Sequence, residues 1–332
     1  MCSANVAMNG ELSSGLPSLT TFGNRIVVAA TGRPILLRGV NRSGLEWSEP
    51  DEDGFCSSAG ISRTEIEFIV KGWNCNILRL PLNQDWALNG RGEHSAEAYL
   101  KDLDRVVRWA SHVGAYTLLD LQWLDADRPF GGKRNFVAPL PNLQSLEFWH
   151  LLASRYRDEP AVLYDLFNEP HDRLLDDPYP LVREDGSFYP PTHRRVTAAE
   201  WHPWALKLID VIRSTHPDAL IFVSGINWGY DLRGMPLERA NLVYSTHVYR
   251  NKGSNGAEAF GDLAAIAPVF AGEWGGGVED RNWGLSLAKY FDALGIGWTA
   301  WSWSNEPYLV RRFTPTEFGD IVLEQLRRTW VS

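Results

Sequence analysis

Cysteine is scarce in this chain of 332 residues, which has Cys2, Cys56 and Cys75 and no Cys-x-x-Cys pair. An odd count without paired spacing excludes a disulfide framework and the common zinc motifs, and leaves room for one bridge at most. Basic residues are also in deficit, 32 Lys and Arg against 41 Asp and Glu, for a formal net charge of -9. Polyanions are held by clustered Lys and Arg, so nucleic acid is excluded as the main partner. Nowhere do about 18 uncharged apolar residues follow one another, which leaves no membrane span to expect. Met1 to Gly10 lack the charged start and apolar run of a secretion signal, so the chain reads as soluble. No linker, low-complexity tract or tandem repeat interrupts it, and one domain is expected.

What the chain has in quantity is tryptophan, 15 residues, within 12% aromatics and a 44% hydrophobic total. That apolar share supports an ample core. Indole faces also stack on the apolar faces of sugar rings, so the composition suits a saccharide site as well as a core.

Residues 1–20 are small and polar and read as a loose leader, with residues 21–332 as the domain proper. Arg25–Ala30, the turn Thr31–Pro34 and Ile35–Leu37 read as an N-terminal β-hairpin. Apolar, β-branched runs then recur at Ile35–Val40, Cys75–Leu80, Ala115–Leu121, Ala161–Phe167, Ala219–Val223, Leu242–Thr246, Pro268–Ala271 and Ile296–Ala300. Helical spacing separates them at Arg63–Gly72, Glu97–His112, Leu143–Arg157, Glu200–His216 and Leu285–Leu294, with a closing helix near Pro315–Thr329. Strict β-then-α alternation predicts a parallel sheet, and eight strands predict closure into a (β/α)8 TIM barrel with long βα loops. Two connections, His171–Ala199 and Arg250–Asp262, are too long for simple joints and are expected to wall a cleft at the C-terminal face.

Each predicted strand ends in a polar or aromatic cluster. These include Asn41, Arg79, Gln122 and Trp123, Asn168 and Glu169, Trp228, His247 and Tyr249, Glu273 and Trp274, and Trp301. A barrel gathers such ends around one axis, which is where sites on this fold are built. Glu169 and Glu273 each follow an apolar strand, and a buried carboxylate needs a reason. Cleavage of a glycosidic bond supplies one, since it takes an acid at the leaving oxygen and a second carboxylate on the other side of the sugar. Arg79 and the Tyr249 hydroxyl are expected to support Glu273, while Glu169 is expected beside Asn168 and apolar neighbours, keeping its proton. His94, His112, His150, His193, His202 and His216 show no ligand spacing, and neither metal nor cofactor is called for.

The segments Val162–Pro170 and Phe270–Trp274, with Arg79-Leu-Pro81, His247-Val-Tyr249 and Trp298–Trp303, resemble glycoside hydrolase family 5, in order, from Asn24 to about Pro315. The resemblance implies a retaining mechanism with Glu169 as acid/base and Glu273 as nucleophile. It further implies Asn168 on the sugar 2-hydroxyl, Arg79 supporting Glu273, His247 and Tyr249 beside the reacting ring, and Trp301 as its stacking floor. Leu37–Glu46 and Ile221–Gly229 resemble the endoglucanases that cut β-1,4-glucan. An endo-β-1,4-mannanase or another β-glycanase remains open, as does a non-catalytic carbohydrate-binding barrel.

One position departs from the family pattern: Gln122 stands where Asp-x-His places an imidazole. Glutamine hydrogen-bonds but cannot become cationic near neutral pH. Sugar hydrogen bonding is expected to survive, while any role of that histidine in the charge balance is lost or taken over by His171 or Trp123. The implied partner is a β-linked polysaccharide or oligosaccharide, met by a monomer outside the cytoplasm.

Overall fold

The computed structural model describes residues 15–48, 54–57, 60–125, 138–172, 183–187, 195–253, 255–276 and 281–328. Leu19–Phe22 (β1) and Arg25–Val28 (β2) pair antiparallel across the turn Gly23-Asn24. This hairpin lies one turn earlier than the sequence suggests and begins inside the expected leader, whose residues 1–14 lie outside the described residues. The anticipated pairing of 25–30 with 35–37 is reduced to a single bridge, Val27 to Pro34. Leu19-Thr-Thr-Phe22 is strand-prone and is followed by a two-residue turn, whereas Pro34 has no N–H to extend a ladder.

Eight strands then form a closed parallel barrel. They are β3 (Arg38–Asn41), β4 (Ile77–Asn83), β5 (Tyr116–Trp123), β6 (Val162–Asp165), β7 (Ile221–Ser224), β8 (Leu242–Tyr249), β9 (Val269–Gly275) and β10 (Gly297–Ala300). Pairing of β10 with both β9 and β3 closes the ring. Each strand overlaps one of the predicted apolar runs. Outside the ring run α1 (Arg63–Glu67), α2 (Gln84–Asn89), α3 (Ala96–His112), α4 (Gln144–Arg155), α5 (Ala198–Arg213), α6 (Asp262–Ala264), α7 (Arg281–Leu294) and α8 (Glu317–Leu326). The logic of α3 is typical: Leu100, Leu103, Val106, Val107 and Ala110 repeat at helical spacing and are buried, and the Ser95 side chain caps the start by accepting from the Ala98 N–H. Within the expected cleft wall His171–Ala199, residues 173–182 and 188–194 lie outside the described residues. The wall Arg250–Asp262 coils at its end into a helical turn, Ala257–Gly261.

Strand alternation builds the site in layers, because side chains two residues apart share a face. Ile77, Leu118, Leu163, Val243 and Phe270 join Leu19, Ile26 and Val28 of the hairpin in one apolar cluster. The hairpin thus packs on the floor of the bore. One step up the same faces come Arg79, Asp120, Asp165 and Ser245, and a step further His247, all fully buried. The intervening residues Leu78, Leu80, Leu119, Tyr164 and Tyr244 belong to the outer core against the helices.

Near the C-terminal mouth the register slips. Thr246 pairs Ala271 but His247 pairs Glu273, which leaves Gly272 as an extra residue on β9. Such a bulge re-aims the side chain that follows it. Only glycine fits there, since a Cβ on Gly272 would lie 2.4 Å from Ser245 Oγ and 2.9 Å from His247 Nε2.

Candidate active site

Arg79 stands at the centre of the mouth with its guanidinium donors shared among five partners. Nε donates to Asp165 (2.9 Å), Nη1 to Asn41 Oδ1 (2.9 Å) and Glu273 Oε1 (3.0 Å), and Nη2 to Asn168 Oδ1 (2.9 Å). Nη2 also pairs with Asp120 at 3.0 Å. Burial opposes the charge on Arg79, but Asp120, Asp165 and Glu273 outweigh it and keep the guanidinium protonated. Asn41 is fixed from its other end, donating to the Gly272 and Thr299 carbonyls at 3.0 and 3.2 Å.

Three acids around one cation leave an excess of negative charge. Burial pushes Asp120 well above the usual carboxylate range, against Arg79 and with the help of Asp165, Glu273 and Glu169. Burial likewise raises Asp165 from the usual 3.8 to about 6, with Arg79 pulling the other way. A carboxyl whose folded value lies above its unfolded one stabilises the fold fully below the unfolded value, and that contribution disappears as pH rises through the folded value. Between pH 4 and 7 this group therefore removes roughly 3 kcal/mol of stability, at about 1.4 kcal/mol per pH unit. Asp165→Asn should flatten that part of the stability profile, as read from denaturant midpoints at each pH. An unchanged slope would place the loss in other groups.

Glu273 receives Arg79 on Oε1 and the Tyr249 hydroxyl on Oε2, the latter at 2.6 Å. Burial, and then the charges of Glu273 and Glu169, hold the Tyr249 phenol well above its ordinary range, so it remains a donor. Glu169 meets His247 Nδ1 at 2.8 Å through Oε1, and the same oxygen accepts from Lys252 Nζ. Burial holds His247 well below its usual range despite the nearby Glu273, with Arg79 and Lys252 adding to the effect. A neutral ring in this position can donate to a carboxylate or accept from a carboxylic acid. Glu169, His247 and Glu273 each offer one ligand-type atom within 4.8 Å of the others. Those carboxylates are already met by ammonium, guanidinium and phenol, so the cluster reads as a carboxylate pair rather than a metal centre.

Most of the predicted residues converge here, but their surroundings differ in places from the sequence reading. Asn168 is buried on Arg79, while an imidazole and an ammonium, rather than apolar neighbours, face Glu169. His171 turns Nδ1 to the Glu169 backbone oxygen (2.8 Å) and stacks on Trp228 at 3.7 Å. Trp301 is part-exposed and tied through Nε1 to the Glu306 carbonyl at 3.1 Å. Gln122 is the unpaired residue of a bulge between β4 and β5, and Trp123 tilts against Trp47 with ring centres 6.3 Å apart. Trp274 is a correction: it is wholly buried outside the barrel against Trp298, Phe291 and Phe318. With Glu273 facing inward, the next residue of the strand must face the helices.

Sequence reasoning missed Lys252 and gave Asp120 and Asp165 no role. An aspartate inside the apolar run Val162–Phe167, in phase with Leu163, was a usable signal for the last. Beside Tyr249 a cavity of about 870 Å³ opens between Arg250, Gly275, Glu306, Tyr308, Arg311 and Phe318. Its size is that of a small-molecule site.

Residues 28–307 match the family described as cellulase (glycosyl hydrolase family 5). The chain is 25% identical over 293 residues to endoglucanase MaCel5A of Microbulbifer sp. (strain ALW1), covering 82% of this chain and 48% of that protein. It is 26% identical over 337 residues to an endoglucanase of Paenibacillus polymyxa, covering 85% and 78%. The chain spans about half the length of several of these curated relatives. Among solved structures, β-glucanase SdGluc5_26A of Saccharophagus degradans superposes with a TM-score of 0.72 at 22% identity over 97% of each chain, and it is also known in complex with cellotetraose.

Proposed function

The chain belongs to glycosyl hydrolase family 5, and on that premise we propose that it is a retaining endo-β-1,4-glucanase with Glu273 as nucleophile and Glu169 as acid/base. The spacing of the two carboxylates carries this reading. One oxygen of each lies within 4.8 Å of the other, whereas inversion needs about 6.5 Å or more to admit a water between them. Their partners support this division of roles. Glu273 is aimed by two donors, Arg79 and Tyr249, as a nucleophile should be. Glu169 contacts a neutral imidazole that tolerates it with or without a proton.

In the first step Glu273 attacks the anomeric carbon and the glycosidic bond breaks, its oxygen taking the proton of Glu169. In the second, Glu169 removes a proton from water, whose oxygen attacks the same carbon and releases Glu273. Asn168 Oδ1 is taken by Arg79, which leaves its amide N–H groups to donate to the sugar 2-hydroxyl. Trp301, fixed by its own N–H, offers its face to the ring. The endoglucanases among the relatives favour glucan as the polymer, which is too large to import and would be met outside the cell.

Reducing-sugar release from carboxymethyl-cellulose, mixed-linkage β-glucan, glucomannan, galactomannan and xylan tests the assignment, together with the anomeric configuration of the first product. Release from the glucans with a β-configured product is expected. Cleavage of galactomannan alone would move the substrate to mannan, and silence across the panel would leave a sugar-binding barrel.

A further inference from the structure

Lys252 lies three residues past Tyr249, on the loop that follows β8, and no sequence motif marks it. Its ammonium donates to Glu169 Oε1 and, at 2.6 Å, to the Trp228 carbonyl, and sits 4.8 Å from the centre of the Tyr249 ring. The side chain is 16% exposed, so three separate elements hold the charge in a largely dry position. The Trp228 carbonyl is itself aimed by an unusual backbone. Asn227, Trp228 and Gly229 all have left-handed φ, at 55°, 58° and 73°. For the two non-glycine residues this conformation is unfavourable and persists only where the surroundings impose it. A Cβ on Gly229 would lie 2.8 Å from His247 Cγ, so the same turn also packs against the imidazole that contacts Glu169.

The other charged or titratable groups around Glu169 leave this position to Lys252. His247 on β8 is neutral through burial, and Glu273 on β9 is an acid. Arg79 on β4 is occupied by Asp120 on β5, Asp165 on β6 and Glu273. The Tyr249 hydroxyl goes to Glu273, and the His171 ring goes to the Glu169 backbone. Gln122 cannot carry charge.

We infer that Lys252 is a positioning residue that biases Glu169 toward its base form, slowing proton donation to the leaving group as pH rises and favouring activation of water in the second step. This rests on Glu169 being the acid/base. An adjacent cation draws on the same oxygen electrons as the transferable proton, so its removal should let Glu169 hold that proton to higher pH.

The test compares wild type with Lys252→Met and Lys252→Arg on a soluble β-glucan across pH. The alkaline limb of kcat/KM, which reports the free enzyme, should move up by roughly one pH unit in the Met variant and stay in place in the Arg variant. A merely structural lysine would lower the rate at every pH and leave the limb fixed, and that result would overturn the inference. A second readout needs no turnover: the carbon-13 signal of the Glu169 carboxylate, followed against pH, should shift its titration upward in Lys252→Met and not in Lys252→Arg. Coincident curves in all three proteins would refute the role of Lys252. If wild type cleaved no glycan, the catalytic reading would fall and this titration would still decide the fate of the lysine.

Discussion

Alanine in place of Glu273 is expected to lower turnover of a β-glucan by roughly 10⁴-fold or more, about 5 kcal/mol of transition-state stabilisation. The loss follows from the geometry, because Arg79 and Tyr249 would be left aimed at an empty position. Azide should restore cleavage of an activated aryl cellobioside by entering that space, and the product should be the α-glycosyl azide, since attack comes from the vacated side. Glu169→Ala should behave differently. With a leaving group that needs no proton, its first step survives, and azide should then yield the β-product by displacing Glu273. The two products, separated by proton NMR, assign the roles independently of any rate. An α-azide from the Glu169 variant would exchange them.

Arg79→Met should be the most damaging single substitution for the fold as well as for activity. It removes the cation shared by Asp120, Asp165 and Glu273, all nearly or wholly inaccessible, and cuts the tethers to Asn41 and Asn168. Breaking a buried ion pair from one side costs about 3–5 kcal/mol. Much of that penalty should vanish at pH 4, where Asp120 and Asp165, both pushed up by burial, are protonated, so the denaturant midpoint of the variant should approach that of wild type on acidification. A deficit of the same size at pH 4 and pH 7 would mean that Arg79 acts by packing rather than by charge.

Strand positions were legible because parallel strands covered on both faces are written as unbroken apolar runs, and each such run proved to be a strand. Arg79, Asn168, Glu169, His247, Tyr249 and Glu273 were legible for the same reason, as polar residues closing those runs. The errors came from treating neighbours as equivalent. Glu273 and Trp274 adjoin in sequence yet point to opposite sides of the wall, which the period of two could have told. The hairpin was misplaced because Thr31-Gly-Arg-Pro34 is a stronger turn signal than Gly23-Asn24, yet the latter joins the better-matched strands. Lys252 was not legible, since nothing local in a Gly- and Asn-rich loop says which residue reaches back to a carboxylate 83 positions earlier.

The cluster around Arg79 also bears on how such a protein would change over generations. Three acids share one guanidinium, and the charge of Glu273 is among those that push Asp120 out of its normal range. Selection for folding alone would favour neutralising one of the three, because buried negative excess is a burden the fold could shed by a single change to an amide. A lineage that had drifted from cutting sugars to holding them would have every thermodynamic reason to make that change. Folding alone therefore does not account for three acids on one guanidinium, and the carboxylate chemistry they surround comes at the expense of stability.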